Sequence, residues 1–185
     1  MEKVKKVTLS GMLFAIGLIL PLFIGQIPAV GKMLLPMHIP VLICGLILGW
    51  QYGLAVGFLL PLVRSVLVLY PNAIAMAFEM GTYGLVAGWL YGHAKWQCTK
   101  TLYRSLVGAM ISGRVVWAFA EVILLGMTGT MFTWEMFLAG AFLNAIPGII
   151  LQLVLIPVLM VALNKAKVVP FRKPEKGVET ADARG

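Results

Sequence analysis

Arg64, Glu79, Arg114 and Glu121 each lie inside a long apolar run of the chain. A charge held at bilayer depth is costly, so such groups pair, meet a ligand or carry protons. Two guanidiniums and two carboxylates suit three chemistries. They can hold an ionic or hydrogen-bonding solute. They can relay protons through Glu79 and Glu121. Or they can brace a helix bundle as the pairs Arg64–Glu79 and Arg114–Glu121. Desolvation offsets most of the attraction in a buried ion pair, so bracing alone is a weak reason to keep four such groups.

Other residues fall into phase with them. Arg114 and Glu121 are seven apart and share a helix face, with Trp117 and Ala118 between them. Glu79 and Tyr83 are four apart. Asn144 and Gly148 are also four apart and flank Pro147, whose ring frees a backbone carbonyl. His38 opens another apolar run. Tyr83, Trp117 and Trp134 offer flat apolar walls. The expected ligand-binding set is therefore His38, Arg64, Glu79, Tyr83, Arg114, Trp117, Glu121 and Asn144. The sequence leaves open which arginine meets a ligand and which holds its neighbours.

The elements that must position these groups follow from composition. Of 185 residues, 61% are hydrophobic and 12% charged, and the mean hydropathy is +0.95. A soluble domain of this size cannot hide that much apolar surface. The expected fold is all-α, a six-helix transmembrane bundle with spans near 7–25, 36–50, 52–70, 73–92, 106–127 and 137–163. The second span is short and is expected to tilt or to begin in the preceding loop. Trp50-Gln51-Tyr52-Gly53 and Pro71-Asn72 are expected turns. Longer connections cover 26–37 and 128–136, and the Pro-containing stretch 168–185 is expected to be a disordered tail.

Twelve of the fifteen Lys and Arg gather at the N-terminus, in the 95–104 loop and in the tail. Six crossings put all three clusters on one side, so the positive-inside rule predicts that both termini are cytoplasmic. Counting depth at about 1.5 Å per residue then places His38, Arg64, Glu79, Arg114, Glu121 and Asn144 between the midplane and the outer surface. Trp50, Trp89, Tyr91 and Trp96 read as an aromatic belt on the basic side. Val4-Lys5-Lys6 before an apolar run resembles a signal peptide. That run is long for one, and Gly11 and Ala15 are spaced as helix-packing residues, so retention is expected.

The net charge of +8 therefore points to the anionic inner leaflet rather than to nucleic acid. Cys44 and Cys98 imply neither a disulfide framework nor a metal site. No Gly-rich phosphate loop, HExxH, Gly-x-Ser-x-Gly or paired-cysteine motif occurs. Ser65, Ser112 and His38 are candidates for a nucleophile and base in composition only, and the chain reads as a non-enzyme with no catalytic residue, metal or bound cofactor.

Three stretches carry a family resemblance. Residues 34–49, Leu-Leu-Pro-Met-His-Ile-Pro-Val-Leu-Ile-Cys-Gly-Leu-Ile-Leu-Gly, are the first. Tyr52-Gly53-Leu54-Ala55-Val56-Gly57 and 78–88, Phe-Glu-Met-Gly-Thr-Tyr-Gly-Leu-Val-Ala-Gly, are the others, and Ser112-Gly113-Arg114 adds to them. The chain up to about Leu163 resembles the substrate-binding S components of energy-coupling factor (ECF) transporters. The branch it resembles carries pantothenate, pyridoxine, cobalamin and queuosine precursors. The resemblance implies a multi-pass protein of a prokaryotic cytoplasmic membrane that captures a vitamin-like micronutrient from outside. It implies docking on a membrane T component that bears two ABC-type ATPases, which use the ATP. It implies docking through small residues of the first helix, here Gly11 and Ala15, with Gly where Ala is usual. It also implies that the 26–37 loop closes over the pocket. Arg64 suits a carboxylate, which makes pantothenate the first choice of ligand. A stand-alone proton-coupled carrier is the alternative, and a purely structural membrane subunit is a third class.

Overall fold

The computed structural model describes residues 3–24, 36–68, 73–127, 133, 146–166 and 169. Among them the chain forms six helices: α1 (Lys3–Ile24), α2 (His38–Leu48), α3 (Trp50–Val68), α4 (Ala73–Gly92), α5 (Thr99–Met127) and α6 (Ile146–Lys165). The Pro71-Asn72 turn, most of the 26–37 and 128–136 connections and nearly all of the 168–185 tail lie outside the described residues.

Five of the six helices are long and apolar enough to cross a membrane, and α2 is not. With 11 residues, α2 is about 16 Å long, half of a bilayer's roughly 30 Å hydrocarbon core. It is a core helix: His38 through Leu42, Cys44, Gly45, Leu46 and Leu48 are all buried. The second span, expected to be short, is a buried eleven-residue helix that follows a turn at Pro36-Met37.

The turn between α2 and α3 also differs from expectation. Trp50 through Gly53 already belong to α3, and the joint is the single residue Gly49. Its φ of 104° and ψ of 167° fall in a region that is essentially glycine-only. Its N–H still donates to Gly45 O at 3.1 Å, and Gly53 N–H donates to Gly49 O at 3.1 Å, so the chain turns without losing backbone bonds.

Helix α4 is the centre of the bundle. Half of its 20 residues are buried, whereas α1 is largely exposed. Ala75, Ala77, Gly81, Gly84, Ala87 and Gly88 make its inner faces small. A Cβ on Gly84 would run into the Gly53 backbone, one on Gly57 into Met80 O, and one on Gly45 into Gly84 O. α2, α3 and α4 therefore meet backbone to backbone, the packing that small residues permit where water supplies no drive. Around this unit Leu42, Leu46, Tyr83, Tyr91, Leu102, Leu106, Ile156 and Met160 form one apolar cluster. Val41, Cys44, Val56, Leu60 and Met80 form another beneath α1. Tyr91, expected in the interfacial belt, is 2% exposed and belongs to the core, whereas Trp50, Trp89 and Trp96 are exposed.

The basic residues collect at one end. Lys6 Nζ lies 5.9 Å from the Tyr52 ring centroid, which sets the start of α1 beside the start of α3. Gly88, near the end of α4, abuts the Trp50 backbone, and Met160 near the end of α6 packs with Tyr91 and Leu102. Lys3, Lys5, Lys6, Lys95, Lys100, Arg104 and Lys165 thus share that end. α5 begins at Thr99, earlier than the expected 106, because Thr101 and Ser105 tie their hydroxyls back into the chain. Thr101 Oγ1 donates to Trp96 O at 2.8 Å, and Ser105 Oγ to Thr101 O at 2.9 Å.

Candidate functional site

Three helices converge on one carboxylate oxygen. Glu79 Oε1 on α4 accepts from Tyr83 Oη, one helical turn on, at 3.0 Å. Arg114 Nη1 reaches it from α5 at 3.0 Å. His38 Nε2 approaches from the start of α2 at 3.8 Å, too long for a hydrogen bond and within ion-pair range when the ring is protonated. The His38 and Tyr83 rings lie 5.0 Å apart, tilted by 56°. All four side chains are buried: His38 1%, Glu79 2%, Tyr83 2% and Arg114 8% exposed.

Local sequence explains the convergence. The four-residue spacing of Glu79 and Tyr83 sets the phenol above the carboxylate. Gly113 gives the phenol room, because a Cβ there would overlap the Tyr83 ring. Tyr83 therefore lies flat on the α5 backbone, and the next residue, Arg114, is delivered to Glu79. In the sequence Gly113 belongs to the Ser112-Gly113-Arg114 stretch. The signal that could have assigned it a role is a glycine directly before a buried arginine.

The arrangement re-sorts the expected pairs. The bracing alternative paired Arg64 with Glu79 and Arg114 with Glu121, but the guanidinium on Glu79 is that of Arg114. The reason is packing: α5 is held against α4 through Gly113 and Tyr83, so the inward-facing Arg114 reaches Glu79 before any partner on its own helix. Glu121 is buried two turns further along α5, and Trp117 between them is half-buried. Arg64 is half-buried on α3. Asn144 and Trp134 lie outside the described residues. The structure therefore brings His38, Glu79, Tyr83 and Arg114 together and carries Trp117 and Glu121 along the same helix as Arg114.

The cluster has unspent hydrogen-bonding capacity. Among the described residues, no hydrogen bond reaches His38 Nδ1 or Nε2, or Arg114 Nε or Nη2, and all four atoms are buried. Buried polar atoms in native proteins are rarely left so. Two N–H groups of one guanidinium plus an imidazole make a donor-rich surface suited to a carboxylate, carbonyl or ring nitrogen. Among the described residues, no group of three or more His, Cys, Asp or Glu is arranged to hold a metal ion.

The two expected docking residues lie elsewhere. Gly11 and Ala15 are on the exposed face of α1, and nothing lies within 4 Å of a Cβ placed on Gly11.

A family model described as the substrate-specific component of ECF transporters matches residues 5–160. No curated protein and no solved structure matches the chain.

Proposed function

The chain belongs to the family of ECF transporter substrate-specific components, and from that premise we propose that it binds a vitamin-like micronutrient, pantothenate as the first choice, in an outward-facing pocket built on His38, Glu79, Tyr83 and Arg114. The observation that carries this reading is the set of unused donors on buried His38 and Arg114. Glu79 already balances the charge of Arg114. An anionic ligand therefore needs a second cation, and Arg64 is the other arginine within an apolar span. In this division Arg114 supplies hydrogen bonds and Arg64 supplies charge, with Trp117, Glu121 and Asn144 as further walls. The basic end, rich in lysine and arginine, faces the cytoplasm and puts both termini inside. The exposed Gly11–Ala15 face docks on a T component, whose ATPases drive release inward.

The test has two stages. Mass spectrometry of small molecules that survive purification identifies the ligand without presupposing it. Calorimetry then compares pantothenate with its neutral alcohol, pantothenol. A charge-assisted hydrogen bond contributes roughly 1.5–3 kcal/mol, so Arg64→Ala should weaken pantothenate about 10- to 100-fold and leave pantothenol nearly unchanged. Equal loss for both, or unchanged pantothenate binding, removes the carboxylate assignment. Uptake that needs no co-expressed T component and collapses with an uncoupler would instead make the protein a proton-coupled carrier.

A further inference from the structure

A second ligand-sized feature lies at the basic end. Leu90 follows Glu79 by eleven residues, about 16 Å along α4. There, at the corner between α4 and α5, a cavity of about 450 Å³ is lined by Leu90, Lys95, Trp96, Thr101, Arg104 and Ser105, with Ala94 beside them. Two cations border it, and no acidic residue occurs between Glu79 and Glu121 in the sequence. Its floor is fixed by the Thr101-to-Trp96 and Ser105-to-Thr101 hydrogen bonds, and Ser105 is 1% exposed.

The cavity is both charged and apolar. Trp96 is 55% exposed and Leu90 36%, so each offers an uncovered hydrocarbon surface at its rim. Leu90 leans over Gly108, where a Cβ would meet Leu90 Cδ1 at 2.9 Å. As between any two packed helices, a shallow groove runs along the α4–α5 seam, here bordered by exposed Leu90 on α4 and exposed Val107 and Ile111 on α5. Depth fits as well. At 29 residues, α5 is about 43 Å long and outruns a hydrocarbon core of roughly 30 Å by about 13 Å. Its polar first turns, Thr99 to Ser105, are the part that protrudes, which sets Lys95 and Arg104 at headgroup level and the groove at acyl-chain level.

We propose that this cavity binds the phosphate headgroup of an anionic phospholipid, with one acyl chain lying along the groove beside Leu90 and Gly108. Lys95 and Arg104 hold the phosphate, and Trp96 sits at the interface where its ring is both wet and apolar. A free phosphate compound would meet the same cations but would gain nothing from Leu90, Trp96 and the groove, which is why a lipid is the occupant. The proposal is independent of the micronutrient reading.

The test uses full-length, delipidated protein in dodecylmaltoside, titrated with phosphatidylglycerol or phosphatidylcholine and read by native mass spectrometry. Tryptophan quenching by brominated phosphatidylglycerol gives a second readout, and Trp96→Phe should remove most of it. The double variant Lys95→Gln/Arg104→Gln should bind phosphatidylglycerol roughly thirtyfold more weakly, with phosphatidylcholine unaffected. Both residues are exposed, so the variant keeps its fold. Leu90→Trp, which fills the groove, should also reduce retention while sparing both cations. The triple variant Lys3→Gln/Lys5→Gln/Lys6→Gln should bind as wild type does. Excess inorganic phosphate should not displace the lipid. Wild-type retention in the double variant, equal binding of the two lipids, equal loss in the triple variant, or displacement by inorganic phosphate would each overturn the proposal.

Discussion

The Arg114–Glu79 pair allows a quantitative test of how the cluster is held. The two side chains are 10% and 3% exposed, and the N···O distance is 3.0 Å. At an effective dielectric of about 20 the attraction at that distance is about 5 kcal/mol before desolvation is charged against it. Removing one partner strands the other charge in the core, which typically costs 3–5 kcal/mol. Arg114→Met should therefore destabilise by about that much. Glu79→Gln should too, because it strands the charge of Arg114 while its amide oxygen can still accept from Tyr83. The double variant removes both charges together. It should lose well under the sum, leaving a coupling of about 2–4 kcal/mol, because no charge is left unpaired. The assay is reversible unfolding in dodecylmaltoside mixed with increasing dodecyl sulfate, for wild type, both single variants and the double. Additivity within about 0.5 kcal/mol would show that the pair is not coupled and would falsify the geometry on which the site rests. The Arg64→Met/Glu79→Gln cycle is the control and should be close to additive, since the guanidinium on Glu79 is Arg114's.

Three further outcomes follow from packing, hydrogen bonding and topology. Gly84→Ala puts a Cβ into the Gly53 backbone and should lower stability by about 1–3 kcal/mol or prevent folding, whereas Gly11→Ala meets open space and should be neutral or slightly stabilising in the same unfolding assay. Thr101 Oγ1 lies 3.5 Å from Cys98 Sγ, and this contact holds the thiol below its ordinary range. A lowered value means more thiolate at a given pH, so Thr101→Val should shift the maleimide-labelling profile of Cys98 to higher pH. Buried Cys44 should stay unlabelled in both proteins. With the basic end inside, a membrane-impermeant maleimide should reach Cys98 in inverted vesicles and not in intact cells. The reverse pattern would invert the topology.

The charges of the buried cluster were legible because a bilayer makes polar groups conspicuous. Glu79 and Arg114 stood out in apolar runs together with Arg64 and Glu121, while His38 was marked by its place at the head of a run and Tyr83 by its four-residue spacing from Glu79. Their pairing was not legible, because helical phase says which face a group is on and not which neighbour that face meets. That choice was made by Gly113, whose missing Cβ lets α5 come close enough for Arg114 to displace Arg64 as the partner of Glu79. That the short α2 is buried was not legible for a related reason. An apolar run is equally apolar whether it faces lipid or protein, and only the eleven-residue length distinguishes the two. Gly49, at the end of such a run, was the overlooked stop signal, since glycine just past a helix is a common terminus.

The glycine seams also explain why the most expensive group sits on α4. A buried carboxylate is tolerable only if its partners hold their positions, because a small displacement leaves a bare charge. Backbone-to-backbone contact at Gly45, Gly53, Gly57, Gly84 and Gly88 fixes the spacing of α2, α3 and α4 at points where no side-chain rotamer intervenes. Glu79 and His38 are therefore parts of one rigid body, and Tyr83 on Gly113 extends it to Arg114. α1 is attached differently. It buries only Gly17 and Pro21 among its described side chains, and a Cβ on Gly17 would meet Leu60 and Pro40. Pro40 lies two residues from His38. The helix with the exposed Gly11–Ala15 face thus touches the rigid unit within one turn of the histidine in the cluster.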